Sequence, residues 1–280
     1  MQPRHAHGAG LGFRRELIAP LNAGVPDAIR FFEIAPENWA GMGGRSAREL
    51  RQFTERYPFV CHGLSLSLGG PGPLDAALLR RIKSFMTEHG IGLYTEHLSW
   101  SADENHLYDL LPIPLTEQAV RWTVERIQRA QDILGQRIGI ENASTYVAPP
   151  GAEMSEAEFI SSIVREADCL LHLDVNNIYV NSQNFGFDAL NFLHALPLER
   201  TCYVHIAGHF VEPNGLHIDT HGAEVIDPVW SLLEAAFVRI GGEVPTCLER
   251  DFNFPEFSRL TAEIEHITRL QAAAGQRKAA

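Results

Sequence analysis

Several things are scarce or missing in this 280-residue chain, and each absence excludes something. There are only four cysteines, Cys61, Cys169, Cys202 and Cys247, with no C-x-x-C spacing. Each lies in an apolar, strand-like run, so they read as buried reduced thiols, not as a disulfide framework or a thiolate zinc site. No apolar run is long enough to cross a membrane. The start, MQPRHAHGAGLGFRREL, lacks the apolar segment of a secretory signal, so a cytoplasmic protein with no membrane partner is expected. Basic residues are outnumbered, 23 against 35 acidic, giving a net charge of −12. That disfavours a nucleic-acid partner, because phosphate binding needs a basic footprint. No G-x-G-x-x-G follows the first strand candidate, which weakens an open dinucleotide-binding sheet. The run Gly69-Gly70-Pro71-Gly72 lacks the G-K-S/T ending of a phosphate loop and reads as a sharp loop over the mouth of the fold.

What is present is alternation. Short, near-continuous apolar runs fall at 9–13, 29–35, 58–64, 91–98, 137–142, 169–175, 201–207 and 246–250. Strands buried on both faces of a parallel sheet look like this. Amphipathic segments at 46–57, 74–90, 116–135, 155–167, 227–242 and 254–275 lie between and after them. Ser46 with Glu49, and Ser155 with Glu158, have capping-box spacing, Thr116 is a cap, and Gly90 and Gly135 are C-terminal stops. No linker interrupts the series. The pattern predicts one α/β domain over 1–275, a (β/α)8 TIM barrel, with a flexible tail at 276–280.

A TIM barrel builds its site where its strands end. Segment 29–35 ends in Glu33 and then Glu37-Asn38, 58–64 in His62, and 91–98 in Glu96-His97. Next come Glu141-Asn142, then Asp174 with Asn176-Asn177, then His205 and His209 with the loop HIDTHG at 217–222. The last strand ends in Glu249, Arg250 and Asp251. One strand-end histidine is usually a hydrogen-bonding core residue. Repetition around one barrel is another matter, because buried carboxylates must be paired or bound. Acids and imidazoles aimed at one point call for cations, and about nine ligands at three to five per ion suffice for two or three metals. His5, His7, His89, His106, His194 and His266 lie in helices, loops or the terminus and read as solvated or structural. The stretch VNNIYVNSQN at 175–184 reads as a loop whose amides line the cavity and contact a polar, peptide-like substrate.

The set CHGLSLSLGG, EHLSW, IENAS, LDVNN, VHIAGH, HIDTHG and LERD resembles the multinuclear non-heme iron-dependent oxidative enzymes, the formerly uncharacterised bacterial family that includes the methanobactin biosynthetic oxidase. The match runs from GLGFRREL to LERDFN. The resemblance implies a TIM barrel of the xylose-isomerase or endonuclease IV kind with two or three irons, and O2 as co-substrate. It implies oxidation of cysteines in a ribosomally made precursor peptide, presented by a small partner protein. Carried over by motif, one iron is held by His62, His97 and Glu141. Glu141 bridges to a second on Asp174, His205 and Glu249, and a third sits on Asn177, Asp219 and His221. Asn38, Asn142, His209 and Asp251 adjoin these ligands and are candidates to orient them.

Two rivals share the layout. Trinuclear zinc phosphodiesterases of the endonuclease IV type have a histidine where this chain has Asn177. A neutral amide leaves the third position more open, which suits entry of O2 or a thiolate better than hydrolysis. Sugar isomerases of similar barrel have a lysine near the metal that is absent from these strand ends. A metal-binding module without turnover is the non-enzymatic alternative.

Overall fold

The computed structural model describes residues 3–103 and 106–279. The chain opens with β1 (Ala9–Gly12), a short α1 (Ile18–Ala23), β2 (Phe31–Ile34), α2 (Gly44–Thr54), β3 (Phe59–Gly63), α3 (Ala76–His89) and β4 (Tyr94–His97). A hairpin of β5 (Trp100–Ala102) and β6 (His106–Leu111) follows, then α4 (Glu117–Leu134), β7 (Gly139–Glu141), α5 (Glu156–Glu166) and β8 (Leu170–Asp174). Two helices, α6 (Val175–Phe185) and α7 (Ala189–Ala195), lead to β9 (Thr201–Ala207) and a second hairpin, β10 (Phe210–Val211) with β11 (His217–Ile218). The chain ends with α8 (Asp227–Ile240), β12 (Thr246–Glu249) and α9 (Phe257–Ala279).

Eight strands close into a parallel barrel in the order β1-β12-β9-β8-β7-β4-β3-β2, the TIM barrel that the alternation predicts. The two hairpins stand outside it as separate two-stranded sheets. Closure leaves no free edge, and the strands' outer faces pack under the helices as one continuous apolar layer. The interior is mixed, with Phe31, Val60, Tyr203 and Cys247 in a small separate cluster.

Most of the helix signals act as expected. Thr116 caps α4 with its side chain, Ser155 and Glu158 form the full capping box of α5, and Asp75, not singled out from the sequence, caps α3. Gly90 and Gly135 end α3 and α4 at φ +66° and +79°, where a side chain would strain the turn. Two expectations fail. Helix α2 begins at Gly44, so Ser46 lies inside its first turn, and Glu49 pairs with Arg45 at 2.7 Å instead of closing a box. The stretch 175–184 is helix α6, not a loop. Asp174 caps it by accepting from the Asn177 amide at 2.7 Å, Gly186 closes it, and Val175, Ile178 and Val180 are buried. Of its amides, those of Asn176 and Asn177 in the first turn reach the rim. Asn181 instead pins the neighbouring loop, accepting from Thr145 N and donating to Ala143 O.

The 69–72 loop is a tight turn held by Arg126, which donates to the carbonyls of Ser67, Leu68 and Gly72. His89 is buried against Thr54, at 2.9 Å. Among the described residues, no helix is long and apolar enough to cross a membrane. The side chain of His106 and residue 280 of the tail lie outside the described residues.

Candidate metal centre

Strand alternation determines what faces the barrel axis. On β8, Leu171 and Leu173 join the outer apolar layer, while His172 and Asp174 face the other way. Register then aligns the ends, with His97 beside Glu141, Glu141 beside His172, and Asp174 beside His205.

Three groups form a tight triangle. His62 Nε2 lies 3.0 Å from Glu141 Oε2, His97 Nε2 lies 3.3 Å from the same oxygen, and the two nitrogens are 3.2 Å apart. The far side of each ring is held. His97 Nδ1 is 3.0 Å from the Gly63 carbonyl, which requires an N–H at Nδ1 and leaves the Nε2 lone pair aimed inward. His62 Nδ1 is 2.8 Å from the Thr95 hydroxyl.

A second group shares Glu141. His205 Nδ1 lies 2.9 Å from Glu249 Oε2, 3.5 Å from Glu141 Oε1 and 3.9 Å from Asp174 Oδ2. A third adjoins it, where His221 Nε2 lies 2.9 Å from Asp219 Oδ1 and 3.6 Å from Glu249 Oε2. Asn177 donates its amide to the Asn142 carbonyl at 3.2 Å and stands 3.5 Å from Glu141, which leaves its Oδ1 free. Thus all nine residues singled out as ligands gather at one rim, linked through Glu141 and Glu249.

The polar atoms left over show what the cluster can hold. Glu141 Oε2, Asp174 Oδ2, Asn177 Oδ1, His205 Nδ1, His221 Nε2 and Glu249 Oε2 are buried without a hydrogen-bond partner. Each such orphan costs about 1–3 kcal/mol. Six gathered at one rim are a donor set that a shared cation would satisfy. Burial, with the charges of Glu141, Asp219 and Glu249, pushes the Asp174 carboxyl well above the carboxylate range. Burial would lower His205, but the charges of Glu249 and Glu33 drive it well up, and Asp219 and Glu249 do the same to His221. The cluster is short of positive charge. Oxygen and imidazole donors of this kind suit borderline divalent ions, so the residues present fit metal. The geometry is compatible with the group Asp174, His205 and Glu249 and with His62, Glu141, His172 and His205, whose donor atoms lie within 4.8 Å of one another in each group.

The flanking residues divide. Asn142 clamps the end of β8, donating to Asp174 O and accepting from Asp174 N at 2.8 and 2.9 Å. His209 reaches the rim through Asn176, which donates to Asp219 at 2.7 Å. Asp251 is 3.1 Å from His221 Nδ1 and is gripped by Arg14 at 2.6 Å. Asn38 is exposed on the wall of the adjoining cavity, a space of about 440 Å3 also lined by Arg14, Trp39, His97 and His221.

Three residues escaped assignment from sequence. Glu33, noted as a strand end, accepts from Tyr203 at 2.9 Å and from His205 Nε2 at 2.5 Å. Glu96 accepts from Tyr94 at 2.7 Å and from the His97 amide. His172 is wholly buried under the rim. It was hidden because one polar residue in an apolar run carries no signal of its own, although its two-residue offset from Asp174 puts it on the inward face.

The closed barrel is a TIM barrel, similar in fold to solved sugar epimerases and to endonuclease IV. L-ribulose 3-epimerase superposes with a TM-score of 0.60 at 13% identity, covering 98% of this chain and 97% of that one. Endonuclease IV from Thermus thermophilus superposes at 0.59 with 17% identity, covering 95% and 99%. At such identities the likeness concerns fold alone. Residues 8–272 match the family described as "RiPP precursor modification enzyme MbnB/TglH/ChrH", and the chain belongs to that family. A UPF0276 protein of Nitrosospira multiformis is 59% identical over 96% of this chain and 95% of its own length. One from Pseudomonas aeruginosa is 52% identical over 99% and 96%.

Proposed function

We propose that this protein is a multinuclear iron- and O2-dependent oxidase of cysteine residues in a ribosomally synthesised precursor peptide, which a small partner protein presents in the cytoplasm. One observation carries the reading. In a chain of a precursor-modifying family, six buried donor atoms from different barrel strands and loops converge without partners. On this reading His62, His97 and Glu141 hold one iron, Glu141, Asp174, His205 and Glu249 a second, and Asn177, Asp219 and His221 a third.

Bound iron would supply redox equivalents for O2 chemistry and acidify a substrate thiol near it. The chain's own residues do the rest. Thr95 and Gly63 fix the rings of His62 and His97, Glu33 fixes His205, and Asp251 fixes His221. Glu141 links two positions and sets their separation. The adjoining cavity, walled by Trp39 and Arg14, admits a peptide side chain to the rim. Asn177 offers a neutral oxygen at the third position, which keeps that position the least tightly charged.

The test is anaerobic purification followed by metal analysis, with O2 uptake measured in the presence of a co-expressed cysteine-containing peptide and the small partner. Iron content, O2 consumption and a mass change on the peptide are expected. A zinc-only protein that cleaves phosphodiesters without taking up O2 would overturn the proposal in favour of a hydrolase.

A further inference from the structure

His172 is the least explained polar group in the barrel. It is fully buried, and neither ring nitrogen has a hydrogen-bond partner. Imidazole always offers one N–H and one lone pair, or two N–H groups, so an unpartnered buried ring is a double cost. A histidine kept only for packing would be better replaced by a leucine or phenylalanine. Its surroundings show what it faces. Nδ1 lies 3.9 Å from Glu141 Oε2, and the ring sits edge-on to His205 and His62 at centroid separations of 4.0 and 5.0 Å. Beside it on β9 is Tyr203, its ring centroid 4.7 Å away and its hydroxyl committed to Glu33.

His62, Glu141, His172 and His205 offer donor atoms that all lie within 4.8 Å of one another. His97 is not part of that group. The triangle of His62, His97 and Glu141 is the more open of the two, with the His97 side chain 15% exposed, while His172 and His205 of the second set are wholly buried. We infer that His172 completes an inner seat for a borderline divalent ion, made with His62, Glu141 and His205, beneath the rim seat made with His97. The two seats share His62 and Glu141 and therefore serve one ion, which moves inward by exchanging His97 for His172 and for His205; because His205 also serves the second position, the inner seat and that position are filled in turn, not together. Three nitrogens and one carboxylate oxygen form a donor set suited to iron(II), zinc(II) or cobalt(II). The inference rests on the rim holding metal as proposed above.

Sharing of ligands makes the test a double-variant cycle, read by metal binding instead of turnover. Metal-free protein is titrated anaerobically with Co(II), following its visible absorption and the bound equivalents. His97→Ala removes only the outer seat, so this variant should keep its first equivalent in the inner one. His97→Ala combined with His172→Phe should lose that equivalent or bind it at least about tenfold more weakly. Equal binding by the single and double variants would overturn the inner seat while leaving the rim intact. Wild-type protein that takes up no Co(II) would overturn both. Circular dichroism of the metal-free forms checks folding, and His172→Gln replaces His172→Phe where the latter fails. A readout free of any His172 substitution is the NMR spectrum of histidine-labelled His97→Ala protein with one equivalent of Co(II). Hyperfine shifts on the rings of His62, His205 and His172 support the seat, and an unshifted His172 ring overturns it.

Discussion

His205 and Glu33 form a 2.5 Å contact through His205 Nε2, on the side of the ring away from the rim. The opposite nitrogen, Nδ1, faces Glu249, Asp174 and Glu141. One imidazole thus connects a carboxylate inside the barrel with a cluster of carboxylates at its mouth. Burial would raise the Glu33 carboxyl, but the charge of His205 and their hydrogen bond hold it down, at about 2. Glu33 therefore stays an anion and holds an N–H of His205 at Nε2, so that a metal arriving at Nδ1 would displace only the proton on that side.

Glu33→Gln should keep the shape and remove the charge. The amide oxygen can still accept from Tyr203 and His205, which share Oε2, but without the charge it holds the tautomer of His205 less firmly. Affinity for divalent metal at the second position should fall about 10- to 100-fold, as for other partners of metal-bound histidines. Competition against a chelator of known strength measures it, and unchanged affinity would refute the orienting role.

Asp251→Asn tests the same idea on the outer side. Arg14 grips Asp251, which in turn receives His221 Nδ1. Burial raises the Asp251 carboxyl, but hydrogen bonding from His221 and the Arg14 charge hold it well down. The third position should lose about tenfold in affinity while the first two are unaffected. Equilibrium dialysis resolves this as one weakened equivalent, and a uniform loss across all positions would indicate general damage instead.

Glu37 gives a prediction about pH. Burial, then the charge of Glu96, raises its carboxyl to about 7, and Oε2 has no partner. An acid whose folded pKa is raised keeps its proton while the unfolded chain has lost it. Stability is therefore full below the unfolded value and declines as pH rises from about 4.5 to about 7. Glu37→Gln retains an oxygen for the Leu64 amide and removes that decline. The variant should gain up to about 3 kcal/mol at pH 8 and close to nothing at pH 4. Urea midpoints at the two pH values check this, and an equal shift at both would rule out ionisation as the cause.

How much of this was legible in the sequence depends on the kind of signal. The eight strands were, because burial on both faces gives continuous apolar runs such as the one ending at Asp174. The rim was, because each strand end carries its own acid or imidazole and the barrel supplies convergence. Helix α6 was not. Asparagine-rich segments have poor intrinsic helix propensity, and only the tertiary setting offers Asn181 its partners across the loop. The hairpin of β10 and β11 was too short to show a period of two, and with it went the way Asn184 ties down His217. Glu33 and Glu96 were visible as strand-end acids, but their partners, Tyr203 and Tyr94, looked like ordinary core aromatics.

Glu141→Ala is the most demanding of these tests. Oε2 lies between His62 and His97, while Oε1 faces His205 and the Asn177 amide. Burial opposes ionisation, but His172, His97 and His62 together keep this carboxyl well below its usual range. Its charge is thus shared between two neighbouring positions, and no other carboxylate of the rim touches both of the imidazoles His62 and His97 among the described contacts. Removing it should empty two positions together, leaving the one around Asp219 and His221. Glu141→Gln should do nearly as much, because an amide keeps the size but not the charge that two cations share. Metal analysis showing a loss of about two equivalents from either variant supports the bridge. Loss of one alone would mean that the two positions are held independently, and full retention would mean that Glu141 holds neither.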